Sequence, residues 1–245
     1  MLGSARHGLM AVMTGAHRVT LVRLLVVSLL TGSLLSGACG SSTTTPTGPT
    51  TPSSTLFAQA PFYPNAYDSQ TSQAPVASGG VLPVQVFDDF TLTSAGNVVT
   101  VTWQGQYDTC LSGGVQPVPA AVATAFVVNI FANNGGAPSG SLLNGATYPV
   151  GQTNQIFVAS NTTFQCVGFP GLSTAAVYDY SLKLNTPFAA AANTRYWLGI
   201  QAITPDYSIF WSWNAGAPGN NFSEQISGGV TNLFATDRTF SLFSQ

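Results

Sequence analysis

Asp88 and Asp89 stand side by side in a hydrophobic run, and Asp237 precedes Arg238 near the C-terminal end. Hard oxygen ligands suit Ca²⁺, so these three carboxylates make a candidate calcium site if their strand ends converge. Two other readings of the same residues stand beside it. Val84, Val86, Asp88, Phe90 and Leu92 alternate along one face, which puts Asp88 on the side that should be buried. A buried carboxylate is costly unless paired, and Arg238, sharing a face with Phe240 and Leu242, is the expected structural partner. A β-bulge at Asp88-Asp89 would instead turn both carboxylates outward.

Tyr207, Trp211 and Trp213 are the candidate ligand-binding aromatics. Two flat rings on one strand face can form a platform for sugar stacking, and Tyr207, next to Pro205-Asp206, suits an exposed loop. Ile209 shares the face of Trp211 and Trp213, and an aromatic stripe continuous with an aliphatic residue also reads as core. A glycoside hydrolase needs two carboxylates about 5 to 9.5 Å apart. Asp206 with Glu224, the only Glu, or Asp88 with Asp89, are the formal pairs. Neither forms a recognised catalytic motif, and no catalytic residue is assigned.

Other chemistries fail on composition. The chain has 245 residues, of which 6% are charged, against roughly 25% in an average soluble domain. Both His (His7, His17) and all three Met lie in the first 17 positions, with Arg6, Arg18 and Arg23 close by. Without that stretch the chain has no His, and three bases (Lys183, Arg195, Arg238) against eight acids leave −5. Ser-His-Asp and Cys-His relays need an imidazole, and nucleic-acid binding needs clustered Lys and Arg. Nucleic acid is therefore excluded as a partner, and no cofactor is implied beyond the calcium alternative.

The N-terminal stretch reads as a targeting segment, residues 1–39: a basic region to Arg23, an apolar run from Leu24 to Leu30, then small residues up to Cys39. Met10 or Met13 would serve as start as well as Met1. Leu35-Ser36-Gly37-Ala38-Cys39 resembles a bacterial lipobox, in which the Cys is lipidated, although Ser36 stands where Leu is usual. That makes Cys39 the lipidation site of an outer-membrane lipoprotein, periplasmic or surface-exposed, held to the membrane by its lipid. Cleavage after Ala38 without lipidation would make it secreted. Residues 40–55, rich in Ser, Thr and Pro, have no apolar face to bury and read as a tether. At about 3.1 Å per residue it reaches roughly 50 Å.

Residues 56–245 show β-branched and aromatic runs broken by Gly, Pro and Asn, without sustained helical periodicity. The runs predict strands over 84–92, 98–107, 122–131, 155–159, 175–184, 195–203, 208–213 and 238–243, with two more near Tyr148 and Leu233. Val99-Thr100-Val101-Thr102-Trp103-Gln104 alternates apolar with uncharged polar residues, so one face packs and the other meets water. Asn133-Asn134-Gly135-Gly136 supplies a tight turn. The fold class is all-β: one antiparallel, jelly-roll-like β-sandwich of eight to ten strands. Cys110 and Cys166 are an even pair in an exported chain, hence a disulfide or else two free thiols.

Seven motifs together resemble an uncharacterised family of exported bacterial β-sandwich domains carried behind varied cell-surface anchors. They are Asp88-Asp89-Phe90, Val101-Thr102-Trp103-Gln104-Gly105-Gln106-Tyr107, Phe131-Ala132-Asn133-Asn134-Gly135-Gly136-Ala137-Pro138, Tyr178-Asp179-Tyr180, Tyr196-Trp197-Leu198-Gly199-Ile200, Trp211-Ser212-Trp213 and Asp237-Arg238-Thr239-Phe240. Similar domains tend to carry an aromatic where Gln104 stands and an apolar pair where Arg238-Thr239 stand. The resemblance implies a fold and an exported setting, and brings no activity with it. The resulting expectation is a non-catalytic, envelope-tethered interaction or structural module whose partner is a polysaccharide or an envelope protein; the alternative is a carboxylate-based carbohydrate-active enzyme.

Overall fold

Extended segments satisfy their backbone N–H and C=O groups only by pairing with other strands. The computed structural model shows how this chain does so. It describes residues 54–61, 70–73, 84–108, 120–165, 172–205, 209–217 and 219–245. Among these, thirteen strands form: β1 (Thr55–Gln59), β2 (Gln70–Thr71), β3 (Val84–Thr91), β4 (Gly96–Asp108), β5 (Ala125–Asn134), β6 (Ala137–Pro149), β7 (Thr153–Gln165), β8 (Leu172–Ala190), β9 (Arg195–Ile203), β10 (Phe210–Trp213), β11 (Ser223–Ser227), β12 (Val230–Phe234) and β13 (Phe240–Phe243). A 3₁₀ turn, Val150–Gln152, links β6 to β7. No helix among the described residues is long and apolar enough to cross a membrane.

The strands form two antiparallel sheets. The six-stranded sheet runs β12-β11-β3-β9-β5-β6. The seven-stranded sheet is organised around β4, which pairs along its whole length with β8, from Gly96↔Ala190 to Asp108↔Ala175, while β7 adds outside β8. The other edge of β4 is divided. β13 takes Thr100 to Trp103 and β10 takes Gly105 to Asp108, with β1 outside β13 and β2 outside β10.

The expected antiparallel sandwich is therefore present, with more strands than the eight to ten the pattern suggested. The additional strands are β1, β2 and β11. β2 is two residues long, β1 begins inside the segment read as tether, and Ser223-Glu224-Gln225-Ile226-Ser227 has one apolar residue. None carries a periodicity that a sequence pattern can register. The turn after β5 is as expected: Gly135 and Gly136 hold φ of 64° and 98°, where a Cβ would be strained.

Inward faces of both sheets make one core. Its centre is aromatic: Trp103 stacks on Tyr180 with centroids 5.2 Å apart, Phe126 meets both edge-on, and Trp211 closes the group against Phe126 and Tyr180. Trp211 and Trp213 are fully buried. Their indole N–H groups donate to Tyr180 Oη at 3.2 Å and to the Thr239 carbonyl at 2.8 Å. The expectation that they form a sugar platform is thus corrected: parity along β10 turns them into the sandwich, where burial and satisfied N–H groups favour them.

Trp211 lies over Gly105, where an added Cβ would stand 2.5 Å from its ring. Backbone and indole have no room to part in a packed interior. Gly105→Ala should destabilise the fold by about 1–3 kcal/mol through overpacking, read as a lowered denaturation midpoint with unchanged m-value; an unchanged midpoint would show that the ring can move aside.

Candidate functional site

At one end of the sandwich β10 and β13 must meet along the divided edge of β4, and buried polar groups line the junction. Asn214 N–H donates to the Gln104 carbonyl at 3.1 Å, Thr239 N–H to the Asn214 carbonyl at 3.0 Å, and Ala215 bridges Arg238. Behind this seam Asp88 Oδ1 accepts the Asp89 N–H at 2.8 Å and Oδ2 the backbone N–H of Arg238 at 2.5 Å. Gln59, its amide turned to donate, reaches Asp88 Oδ2 at 2.9 Å and the Arg238 carbonyl at 2.7 Å. The Arg238 side chain donates to Ser223 Oγ at 3.2 Å, to the Trp213 carbonyl at 3.4 Å, and to both oxygens of Thr236.

Asp88 and Arg238 do come together, buried as parity predicts, but across the end of the sandwich rather than on neighbouring strands. Asp88 meets the main chain of Arg238. The bulge reading is overturned: β3 keeps unbroken register with β9 through Asp88 and Asp89 and with β11 up to Asp88, and both carboxylates are buried. Burial pushes the Asp88 carboxyl well above its ordinary value; the Arg238 N–H works against this, while Asp237 and Asp89 add repulsion. Burial also raises Asp89, opposed by its hydrogen bond from Asn220 at 2.6 Å and by Arg195, whose Nε lies 3.2 Å away.

Asp237 accepts three backbone N–H groups: Gly219, Asn221 at 3.2 Å and Phe222 at 3.1 Å. The three carboxylates lie near enough to repel one another but do not converge as the calcium reading required, and each has both oxygens engaged by N–H donors. Among the described residues no group of three His, Cys, Asp or Glu is placed to hold a metal ion. The formal acid pair Asp88-Asp89 points to opposite faces of β3. Cys39, Cys110, Cys166, Asp206 and Tyr207 lie outside the described residues.

A different site appears on the outer face of the seven-stranded sheet. A groove of about 350 Å³ crosses five strands, from Asn154 and Ile156 on β7, over Asp179 and Ser181 on β8 and Thr102 and Gln104 on β4, to Ser241 on β13 and Gln59 at the end of β1. Asn154, Ser181, Thr102 and Ser241 are successive cross-strand partners. With strands about 4.8 Å apart, five strands span roughly 19 Å. Trp103, Tyr180 and Phe240 contribute floor while their rings are buried in the core, so aromatic packing below holds the groove's shape.

Asp179 is exposed and oriented by a relay: Asn214 Nδ2 donates to Gln104 Oε1 at 3.1 Å, and Gln104 Nε2 to Asp179 Oδ1 at 2.9 Å. The sequence pattern placed Thr102 and Gln104 outward but offered no sign that Asp179, Asn154 and Ser241 join them, because that depends on strand order. Gln104 and Thr239 line the same groove. Chemically the lining offers amides, hydroxyls, one carboxylate and the apolar side of Ile156.

Taken together the architecture defines an antiparallel two-sheet sandwich with a groove of mixed polar and apolar lining across the outer face of one sheet. The chain belongs to the family described as a domain of unknown function (DUF7901), which matches residues 57–225. No curated protein and no solved structure matches the chain.

One further carboxyl is set deep beside this face. Asp108, at the end of β4, is buried and accepts from Gln106 Nε2 at 2.8 Å. Burial raises its pKa to about 7, with the Gln106 and Ser212 hydrogen bonds pulling the other way. The folded state therefore holds a proton that the unfolded chain releases near its ordinary value of 3.8. Its contribution is present in acid and lost as pH rises towards about 7, at most about 4 kcal/mol. Urea titrations from pH 4 to 7.5 should show falling stability, and Asp108→Asn should flatten that slope; an equal slope in the variant would assign the proton elsewhere.

Proposed function

We propose that the protein is a non-catalytic, envelope-tethered interaction module that takes a polysaccharide in the groove across β7, β8, β4, β13 and β1. The observation that carries this is the groove's lining: amides and hydroxyls of Gln59, Thr102, Gln104, Asn154, Ser181 and Ser241 with a single carboxylate, Asp179, beside a larger apolar surface to which Ile156, Pro61 and the aromatic floor contribute. Amides and hydroxyls match the hydroxyls of a glycan, and the exposed side chain of Ile156 can cover the C–H face of a ring. A glycosidase would need a second acid within about 5 to 9.5 Å, and the groove lining supplies none.

Lipidation at Cys39 and a Cys110–Cys166 disulfide complete the proposal, with the domain displayed at the outer membrane, on its periplasmic or external side. Support for the disulfide comes from strand order. β4 and β7 flank β8 on its two sides, and their last residues before the two Cys, Asp108 and Gln165, pair with Ala175 and Leu172 near one end of β8. The intact mass of the exported chain tests both: an acylated Cys39 terminus adds lipid, and the disulfide removes two hydrogens.

Binding is tested with soluble polysaccharides and the purified protein. Saturable binding is expected, without release of reducing ends, and Ser181→Trp, which fills the middle of the groove, should weaken it at least tenfold while leaving the Tm unchanged. Reducing ends appearing with time would replace the reading with the enzymatic one, and unaltered binding by the variant would move the site off this face.

A further inference from the structure

Resting on that groove reading, we infer that the ligand is a polysaccharide free of acidic groups and that Asp179 is the residue that sets this specificity. The relay from Asn214 through Gln104 holds one oxygen of the carboxylate, and a carboxylate has further acceptor capacity that only donors can use. A neutral glycan presents hydroxyl donors along its whole length. Hydrogen bonds from hydroxyls to an ionised carboxylate are short and roughly twice as strong as neutral ones, so a single oriented carboxylate in an otherwise neutral groove is an anchoring point for such a chain.

The same carboxylate opposes a uronate or sulfated chain, and no base is among the groove's lining residues. Of the three bases outside the N-terminal stretch, Arg238 is buried in the polar corner, and Arg195 lies on the other sheet against Asp89. Lys183 is on β8 itself, four residues beyond Asp179, which is about 13 Å along a strand. The cross-strand neighbours of Asp179, Gln104 and Ile156, are uncharged. An acidic polymer in this groove would place its carboxylates beside Asp179 without compensation.

The experiment compares a neutral soluble β-glucan with polygalacturonate of matched chain length, for the purified protein and for Asp179→Asn, at physiological ionic strength. Asn at 179 keeps an oxygen for Gln104 Nε2, and the site is exposed, so thermal unfolding should match the parent. Expected is binding of the glucan at least tenfold tighter than of polygalacturonate, with the variant losing about tenfold on the glucan and binding polygalacturonate more tightly than the parent does. Polygalacturonate bound as tightly as glucan, or glucan affinity unmoved in the variant, would overturn the specificity while leaving the groove as a polysaccharide site. Failure of both polymers to bind would remove the groove reading itself, and this inference with it.

Discussion

The divided edge of β4 is the constraint around which this end of the molecule is built. A thirteen-residue strand is too long for either β10 or β13 alone, and the two share it, meeting at Gln104. Where two strand ends abut, backbone groups lose their ladder partners and must find others or stay buried and unsatisfied. Asn214 and Thr239 restore part of the ladder, Asp237 takes three loop N–H groups, and Asp88 takes the N–H of Arg238. In a chain with so few charges, a large share of them is committed to this seam.

The seam also connects stability to the surface above it. Gln104 bonds Asn214 with its main chain and its side chain, and passes the remaining amide donors on to Asp179. Gln59 links the buried Asp88 to the end of the groove. Beneath, Trp103, Tyr180 and Trp211 hold the strands at fixed spacing, the last seated against Gly105. The groove is consequently built mainly on strands of the sheet, and its polar side chains are positioned by the packing and hydrogen bonds beneath it.

Arg195 illustrates a different use of charge. It lies on the six-stranded sheet, half in solvent, with Asp89 at 3.2 Å. A pair with one exposed partner contributes up to about 1 kcal/mol, so its main effect is to give the buried Asp89 carboxylate a counter-charge. Asp89 also takes a donor from Asn220 in the segment that Asp237 gathers, which ties the two sheets together at the same end.

Local sequence determined what a period of two can encode: the all-β class, the presence of most strands though not the full length of β6, β7 and β8, the turn at Gly135-Gly136, and the burial of Asp88 among Val86, Phe90 and Leu92. Those properties depend on neighbours in the chain. Parity put Trp211 and Trp213 on one face of β10 but left open whether that face meets water or core; packing against Gly105 and Phe126 decided it. Only tertiary structure chose which strands lie side by side, and with that choice came the Asp88–Arg238 main-chain contact between sheets and the row Asn154, Ser181, Thr102, Ser241. The groove joins residues up to 182 positions apart, Gln59 and Ser241, and strand order between such distant segments is set by the burial of the whole core rather than by any local pattern.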